Sequence, residues 1–261
     1  MLLRYKGYLI DLDGTIYKGN TPIPGARDFI VYLRSQQIPY LFVTNNSTAK
    51  AEDVSDKLNQ MDIPADKNQI VTSAVACASY IKSEKKQASV YVIGENGLLD
   101  AMQKAGCYIS DERADYVVVG LDRTITYEKI ATASLLIQKG ATFISTNKDP
   151  AIPNERGMLP GNGALTAAIE KASGKQPFYI GKPESTIMET ALHRLHLLPH
   201  EVLMVGDNYL TDISAGIRSN IDTLMVLTGY SRPEDIDDVI GKPTFIAKNL
   251  REWLEKEQAM V

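Results

Sequence analysis

The residues best suited to chemistry lie near the start of the chain, where residues 10–15 read Ile-Asp-Leu-Asp-Gly-Thr. The apolar residues just before them predict a short buried strand, and the Asp-Gly pair predicts a turn. Because side chains two positions apart on a strand point to the same side, Asp11 and Asp13 can face one pocket. Two carboxylates this close repel each other unless a cation or a held proton relieves them. The pattern therefore favours a catalytic or metal-binding site over an ordinary acidic turn.

Three further apolar runs, each a predicted strand, also end in polar side chains. Ligands of open parallel sheets bind at the carboxyl ends of the strands, so these side chains would share one edge with Asp11. Singly, each has a plainer interpretation as a helix cap, a solvated lysine or a turn. Their repetition along the chain favours one common site. The residues are Thr44 and Asn45 after the run 41–43, Lys182 after 178–180, and Asp207, followed by Asp212, after 202–205.

The elements that must position these residues alternate between short apolar runs and stretches with helical spacing. This alternation predicts an α/β fold with a mostly parallel, doubly wound sheet that is covered by helices on both faces. Helical spacing is clear over residues 26–36, 48–60, 127–139 and 184–196. The predicted strands are residues 8–10, 40–43, 69–72, 90–93, 116–119, 142–144, 178–180, 202–205, 223–226 and 244–246.

The predicted site residues are unevenly spread along the chain, and this distribution suggests two domains. The strand ends that carry chemistry lie near residues 11, 44, 182 and 207, whereas the long segment between the second and third contributes few such residues. We therefore expect a discontinuous core of residues 1–78 and 181–261, interrupted by an inserted α/β domain of residues 79–180.

Composition and charge indicate which kinds of partner and which cellular compartment to expect. A net charge of -4 and a pI near 5.5 argue against nucleic acid or an anionic membrane as the main partner. No apolar run is long enough to span a bilayer, and the first six residues lack the apolar stretch of a signal peptide. Cys77 and Cys107 are too few and too far apart for a disulfide framework or a zinc site. We expect a cytoplasmic protein with packed, reduced thiols and a small-molecule partner.

The polar strand ends resemble the four ordered motifs of the haloacid dehalogenase superfamily, and the resemblance covers the whole chain. Residues 22–26, 43–47 and 179–183 are similar to the NagD and p-nitrophenyl-phosphatase branch of that superfamily. The resemblance implies a Rossmann-like core with an inserted type-II α/β cap. It also implies a Mg²⁺-dependent phosphatase for small phosphorylated metabolites, such as sugar phosphates or nucleotides. The four motifs are Asp11-Leu12-Asp13-Gly14-Thr15, Thr44-Asn45, Lys182, and Gly206-Asp207 with Asp212.

The residue types at the first and last motifs suit phosphoryl transfer. A carboxylate at Asp11 can attack phosphorus and form an aspartyl-phosphate, which divides the hydrolysis into two easier steps. Mg²⁺ held by Asp11, Asp207 and a backbone oxygen would offset the repulsion between a phosphate dianion and these acids. The resemblance assigns that oxygen to Asp13, whose side chain would then protonate the leaving alkoxide and later deprotonate water.

The two middle motifs suit binding of the phosphoryl oxygens. Lys182, the Thr44 hydroxyl and the backbone N–H groups around Asn45 would bind these oxygens, where negative charge stays concentrated. Asp212 is expected to hold Lys182 or a metal-bound water in place.

Two other classes of function use similar residues. A phospho-accepting signalling module also gathers acids, a hydroxyl and a lysine at strand ends, but it is shorter and lacks a large insertion. A phosphotransferase or mutase on the same core would release a second phosphorylated product instead of phosphate. Dehalogenation is disfavoured by Asp13, because a departing halide needs no proton whereas an alkoxide does.

Two features of the insertion carry weaker signals. The sequence Pro-Gly-Asn-Gly at residues 160–163 favours a turn and a helix start over an anion-binding glycine loop. The polar segments 146–150 and 155–157 are candidates for substrate selection, with Asn147, Asp149 and Arg156 as the residues to test.

Overall fold

The computed structural model describes residues 5–154, 156–237, 239 and 241–259 of the chain. The chain divides into two compact units. The core unit comprises residues 1–44, 52–71 and 182–261, and the insert unit comprises residues 45–51 and 72–181. Among the helices described, none combines the length and the apolar character that crossing a bilayer requires.

The secondary structure is that of an α/β protein, as the sequence predicts. The strands are β1 (Gly7–Ile10), β2 (Tyr17–Lys18), β3 (Thr21–Pro22), β4 (Tyr40–Thr44), β5 (Ile70–Thr72), β6 (Ser89–Ile93), β7 (Tyr108–Ile109), β8 (Tyr116–Val119), β9 (Thr142–Ser145), β10 (Ala151–Asn154), β11 (Gly157–Pro160), β12 (Phe178–Tyr179), β13 (Val202–Gly206), β14 (Asp222–Val226) and β15 (Phe245–Ala247). The helices are α1 (Ala26–Ser35), α2 (Ala51–Gln60), α3 (Ser73–Glu84), α4 (Asn96–Lys104), α5 (Tyr127–Gln138), α6 (Asn162–Ser173), α7 (Ser185–Leu195), α8 (Ser214–Arg218) and α9 (Leu250–Ala259).

The core unit is built on a six-stranded sheet with the order β15-β14-β13-β1-β4-β5. Strand β1 pairs in parallel with both β13 and β4, and every residue of these three strands is buried. Buried parallel strands read as continuous apolar runs, which is why the sequence marks them so clearly. In chain order, β4 is added on one side of β1, and β13 is added later on the other side. Such a switch in strand order opens a crevice at the carboxyl end of the central strand, where Asp11 lies.

The insert unit has its own five-stranded sheet with the order β12-β9-β8-β6-β7. Its paired strands are parallel, and apolar side chains of β6, β8 and β9 pack against α5 and α6 in one core cluster. A separate antiparallel hairpin, β10–β11, follows β9.

The structure corrects several local predictions from the sequence. Strands β2, β3 and β7 have two residues each, too few for a periodic pattern. Within the predicted polar segment 155–157, Gly157 begins β11, and Glu155 lies outside the described residues. Proline is uncommon inside strands, so Pro153 makes β10 hard to recognise from the sequence. Helix α2 begins at Ala51 and not at residue 48, because Thr48 donates its backbone N–H and its hydroxyl to Asn46 in a turn.

Candidate active site

Three buried carboxylates meet at the carboxyl ends of β1 and β13. Asp11 follows β1 directly, and its N–H donates to the Val205 carbonyl of β13 at 2.8 Å. Asp207 comes directly after β13, and Asp212 lies on the helical turn that follows. Carboxylate oxygens of Asp11, Asp207 and Asp212 all lie within 4.8 Å of one another. Hard oxygen donors in this number suit a cation such as Mg²⁺.

Lys182 contributes an ammonium group to this acidic cluster. Its side chain is only 2% exposed, although lysine is rarely buried without partners. Its Nζ donates to Asp11 Oδ1 at 2.6 Å, to Asp212 Oδ1 at 2.7 Å and to the Val43 carbonyl at 2.9 Å. These three acceptors come from three separate segments of the core unit. The ammonium is therefore fixed in place between the end of β1 and the end of β4.

Charge at this site is unbalanced. Among the described residues, the three carboxylates share the Lys182 ammonium, so the cluster has an excess of negative charge when all three are ionised. Burial and the Asp212 carboxylate raise the pKa of Asp11 well above its usual value, against the opposing effect of Lys182. The same two causes raise the pKa of Asp207 to about 6. Burial lowers the pKa of Lys182, but Asp11 and Asp212 raise it by more, so the ammonium stays charged. A bound divalent cation would neutralise the excess charge.

The Asp207 carboxylate is held by groups from two neighbouring loops. Its Oδ1 accepts from the Thr15 hydroxyl at 3.2 Å, and its Oδ2 accepts from the Tyr230 N–H at 2.6 Å. Gly14, at φ +92°, and Gly229 both lie against this carboxylate, and a Cβ at either position would overlap it. Residues 229–230 were not predicted as part of a site, because no motif near them in the sequence marks one.

The Asp212 side chain is held by hydrogen bonds to both of its carboxylate oxygens. Its Oδ1 accepts from Lys182, and its Oδ2 accepts from the Asn208 N–H at 3.0 Å. A Cβ on Gly206 would overlap the Asp212 side chain, so glycine is needed at the end of β13. Both oxygens of the Asp212 carboxylate therefore have partners within the core unit, and one of these partners is Lys182.

Asp13 lies apart from the three buried carboxylates, and its side chain is exposed. Its backbone forms a bridge to Tyr17. Desolvation by the surrounding protein raises the pKa of Asp13, while Lys57 and Lys18 oppose this shift. A raised pKa on an accessible carboxyl is what a proton donor near neutral pH requires.

The remaining predicted residues are Thr44 and Asn45, which are consecutive in the sequence but belong to different units. Thr44 ends β4 and is buried. Asn45 begins the insert unit, where its carbonyl accepts from Ser73 Oγ at 2.6 Å and from Asn147 Nδ2 at 2.9 Å. Its side-chain Nδ2 donates to Asp149 Oδ2 at 3.3 Å. Neither the part played by Ser73 nor the hydrogen bond between Asn147 and Asn45 was predicted, because no local sequence pattern marks them.

Comparisons with known proteins identify the family of the chain. A family model described as haloacid dehalogenase-like hydrolase matches residues 8–108, and a second, HAD-hydrolase-like model matches residues 179–253. The chain is 53% identical to the 5′-nucleotidase YutF of Bacillus subtilis over 96% of this chain and 98% of that protein. It is 51% identical to an acid sugar phosphatase of Staphylococcus haemolyticus over 94% of each chain.

A solved structure extends the likeness to the whole fold. NagD from Escherichia coli K-12 superposes with a TM-score of 0.90 at 33% identity, covering 95% of this chain and 98% of that one. The similarity in sequence and in structure thus extends over nearly the entire length of both chains. The chain therefore belongs to the haloacid dehalogenase superfamily, in its NagD-like branch of phosphatases.

Proposed function

We propose that this phosphatase is Mg²⁺-dependent and hydrolyses phosphomonoesters of small metabolites through an aspartyl-phosphate on Asp11. The observation that carries the proposal is the buried cluster in which Lys182 bridges Asp11 and Asp212 while Asp207 completes a group of three carboxylates. It offers a nucleophile, a phosphoryl-binding cation and ligands for a metal within one crevice.

In the first step, a carboxylate oxygen of Asp11 attacks phosphorus as the bond from phosphorus to the ester oxygen breaks. Asp13 gives its proton to the departing alkoxide, so the leaving group departs as a neutral alcohol. In the second step, water attacks phosphorus and transfers a proton to Asp13. The bond between phosphorus and Asp11 then breaks, which releases phosphate and regenerates the free carboxylate.

The phosphoryl oxygens are bound by Lys182, the Thr44 hydroxyl and the backbone N–H groups around Asn45. Asp212 keeps the ammonium of Lys182 directed at this position, since it accepts one of its hydrogen bonds. Asp11, Asp207 and the backbone oxygen of Asp13 would hold Mg²⁺. The ion, when bound, neutralises charge on the phosphoryl group and on the carboxylates.

For the substrate, we propose a small phosphorylated metabolite, with residues 79–180 acting as the cap that selects it. The relatives include a 5′-nucleotidase and an acid sugar phosphatase, which supports nucleotides and sugar phosphates as the two classes to test first. Two free cysteines, Cys77 and Cys107, support a reducing compartment such as the cytoplasm.

A product analysis tests this proposal most directly. The purified chain is incubated with nucleoside monophosphates, sugar phosphates and p-nitrophenyl phosphate, with Mg²⁺ or with excess chelator. Stoichiometric release of inorganic phosphate with many turnovers, abolished by the chelator, supports the proposal. A second phosphorylated product would instead indicate a mutase or phosphotransferase, and one stable phosphorylation per chain would indicate a signalling module.

Replacing Asp13 by asparagine should separate the proton donor from the nucleophile. The amide cannot protonate an alkoxide, so turnover of alkyl phosphates should fall by about 10²- to 10⁴-fold, whereas p-nitrophenyl phosphate should lose much less. Mg²⁺ affinity should change little, because only the backbone oxygen of Asp13 is assigned to the ion. Equal losses on both kinds of ester would refute the acid role, and lost Mg²⁺ binding would make the side chain a ligand.

A further inference from the structure

Asn162 is the centre of a buried polar network in the insert unit. It is the first residue of α6, and its side chain is 2% exposed. Its Nδ2 donates to the Asn147 carbonyl at 2.7 Å and to Ser145 Oγ at 2.9 Å, with longer contacts to Thr146 Oγ1 and the Val119 carbonyl. Four acceptors around one amide nitrogen fix the orientation of the Asn162 side chain. The turn that follows β9 is thereby tied to the start of α6.

The backbone on both sides of Asn162 is hydrogen-bonded to the same turn. The N–H of Gly161 donates to the Pro150 carbonyl at 3.0 Å, and that of Gly163 donates to the Asp149 carbonyl at 2.8 Å. A Cβ on either glycine would overlap a carbonyl of this segment. The Pro-Gly-Asn-Gly sequence is therefore more than a turn before a helix. It holds residues 146–150, the segment that the sequence made a candidate for substrate selection.

Asn147, whose carbonyl accepts from Asn162, is itself hydrogen-bonded to Asn45. Its side chain is 6% exposed, and both ends of its amide have partners inside the insert unit. Nδ2 donates to the Asn45 carbonyl at 2.9 Å, and Oδ1 accepts from the Asp149 N–H at 3.1 Å. Asp149 in turn accepts from the Asn45 side chain. The segment thus holds Asn45 by its main chain and by its side chain.

We infer that Asn147 and Asn162 are positioning residues that hold Asn45 for binding of the phosphoryl group, and that they do not select among substrates. The inference rests on the proposed function, in which the backbone around Asn45 binds phosphoryl oxygens. The Asn147 amide is buried with its Nδ2 and its Oδ1 both bonded within the protein, so it is poorly placed to recognise a leaving group. Asn162 is buried as well, and its Nδ2 is directed at the turn that carries Asn147. Because every substrate carries the same phosphoryl group, a displaced Asn45 should lower kcat/KM for all substrates by a similar factor.

The test compares losses across substrates that share only the phosphoryl group. Asn147→Ala and Asn162→Ala are assayed on p-nitrophenyl phosphate, a nucleoside monophosphate and a sugar phosphate. We expect kcat/KM to fall by about tenfold on each, and the inhibition constant of inorganic phosphate to rise by a similar factor. Losses confined to the nucleotide or the sugar phosphate would make these residues selectors. Unchanged constants on every substrate would also overturn the inference.

Two further variants separate positioning from general damage. Asn59→Ala makes the same substitution at an exposed asparagine that donates to the carbonyls of Ser55 and Ala65 in the core unit, and it should keep wild-type constants. Ser73→Ala removes a second donor to the Asn45 carbonyl with little change in side-chain volume. It should raise the phosphate inhibition constant even if both asparagine variants fold poorly. A wild-type constant in a folded Ser73→Ala would contradict the inference.

The outcomes also distinguish this inference from the proposed function itself. If Asp11 variants stay active, the aspartyl-phosphate proposal fails whatever Asn147 does. If Asp11 variants are inactive while Asn147→Ala binds phosphate like the wild type, only the positioning role fails.

Discussion

Asp11→Asn should give a folded protein with almost no turnover. An amide is a poor nucleophile and a weaker metal ligand than a carboxylate, so we expect kcat to fall by about 10³-fold or more on every substrate. The side chain keeps its shape, and the change removes one of three crowded carboxylates. The thermal midpoint of the metal-free variant should therefore stay close to that of the wild type. Steady-state kinetics and thermal denaturation measure the two quantities.

The matched control is Asp28→Asn, which makes the same chemical change at an exposed position in the first turn of α1. It should keep wild-type turnover. Trapping the wild type with beryllium fluoride in the presence of Mg²⁺ should place the phosphate mimic on Asp11. An adduct on Asp207, or substantial turnover in Asp11→Asn, would rule out Asp11 as the nucleophile.

Lys182→Met should damage both catalysis and stability. The change removes the only ammonium in hydrogen-bond contact with Asp11 and Asp212 among the described residues, and leaves their buried charges without this partner. Breaking a buried ion pair from one side costs about 3–5 kcal/mol of unfolding free energy. Loss of a cation that stabilises the transferring phosphoryl group should lower kcat by about 10²- to 10³-fold. Denaturant unfolding and steady-state kinetics test the two effects separately.

Lys6→Met provides the comparison, because the Lys6–Glu201 pair has the same 2.6 Å separation but lies at the surface. Solvent screens such a pair, so this variant should remain close to the wild type in both stability and turnover. Saturating Mg²⁺ should restore part of the stability of Lys182→Met, because a dication relieves the carboxylates, but it should not restore turnover. A Lys182→Met protein as stable and as active as Lys6→Met would contradict the role of this lysine.

The sequence by itself determined the chemistry of the core. A parallel strand that is buried on both faces must be continuously apolar, so β1, β4 and β13 stand out without any knowledge of their neighbours. A polar residue directly after such a strand must lie at the carboxyl edge of the sheet. Asp11, Thr44 and Asp207 could therefore be placed at that edge from local patterns alone.

Only the tertiary structure decided how these residues are held. Lys182 pairs with Asp11 across 171 positions of sequence, and Gly229 lies against Asp207 only because two loops after neighbouring strands pack together. No short-range period encodes such contacts. Asn147 is a second example, because its residue type made it a candidate for substrate selection, whereas its burial and its hydrogen bond to the Asn45 carbonyl became visible only in the folded chain. Side-chain partners depend on which distant segments become neighbours on folding. A local sequence pattern does not encode these long-range contacts.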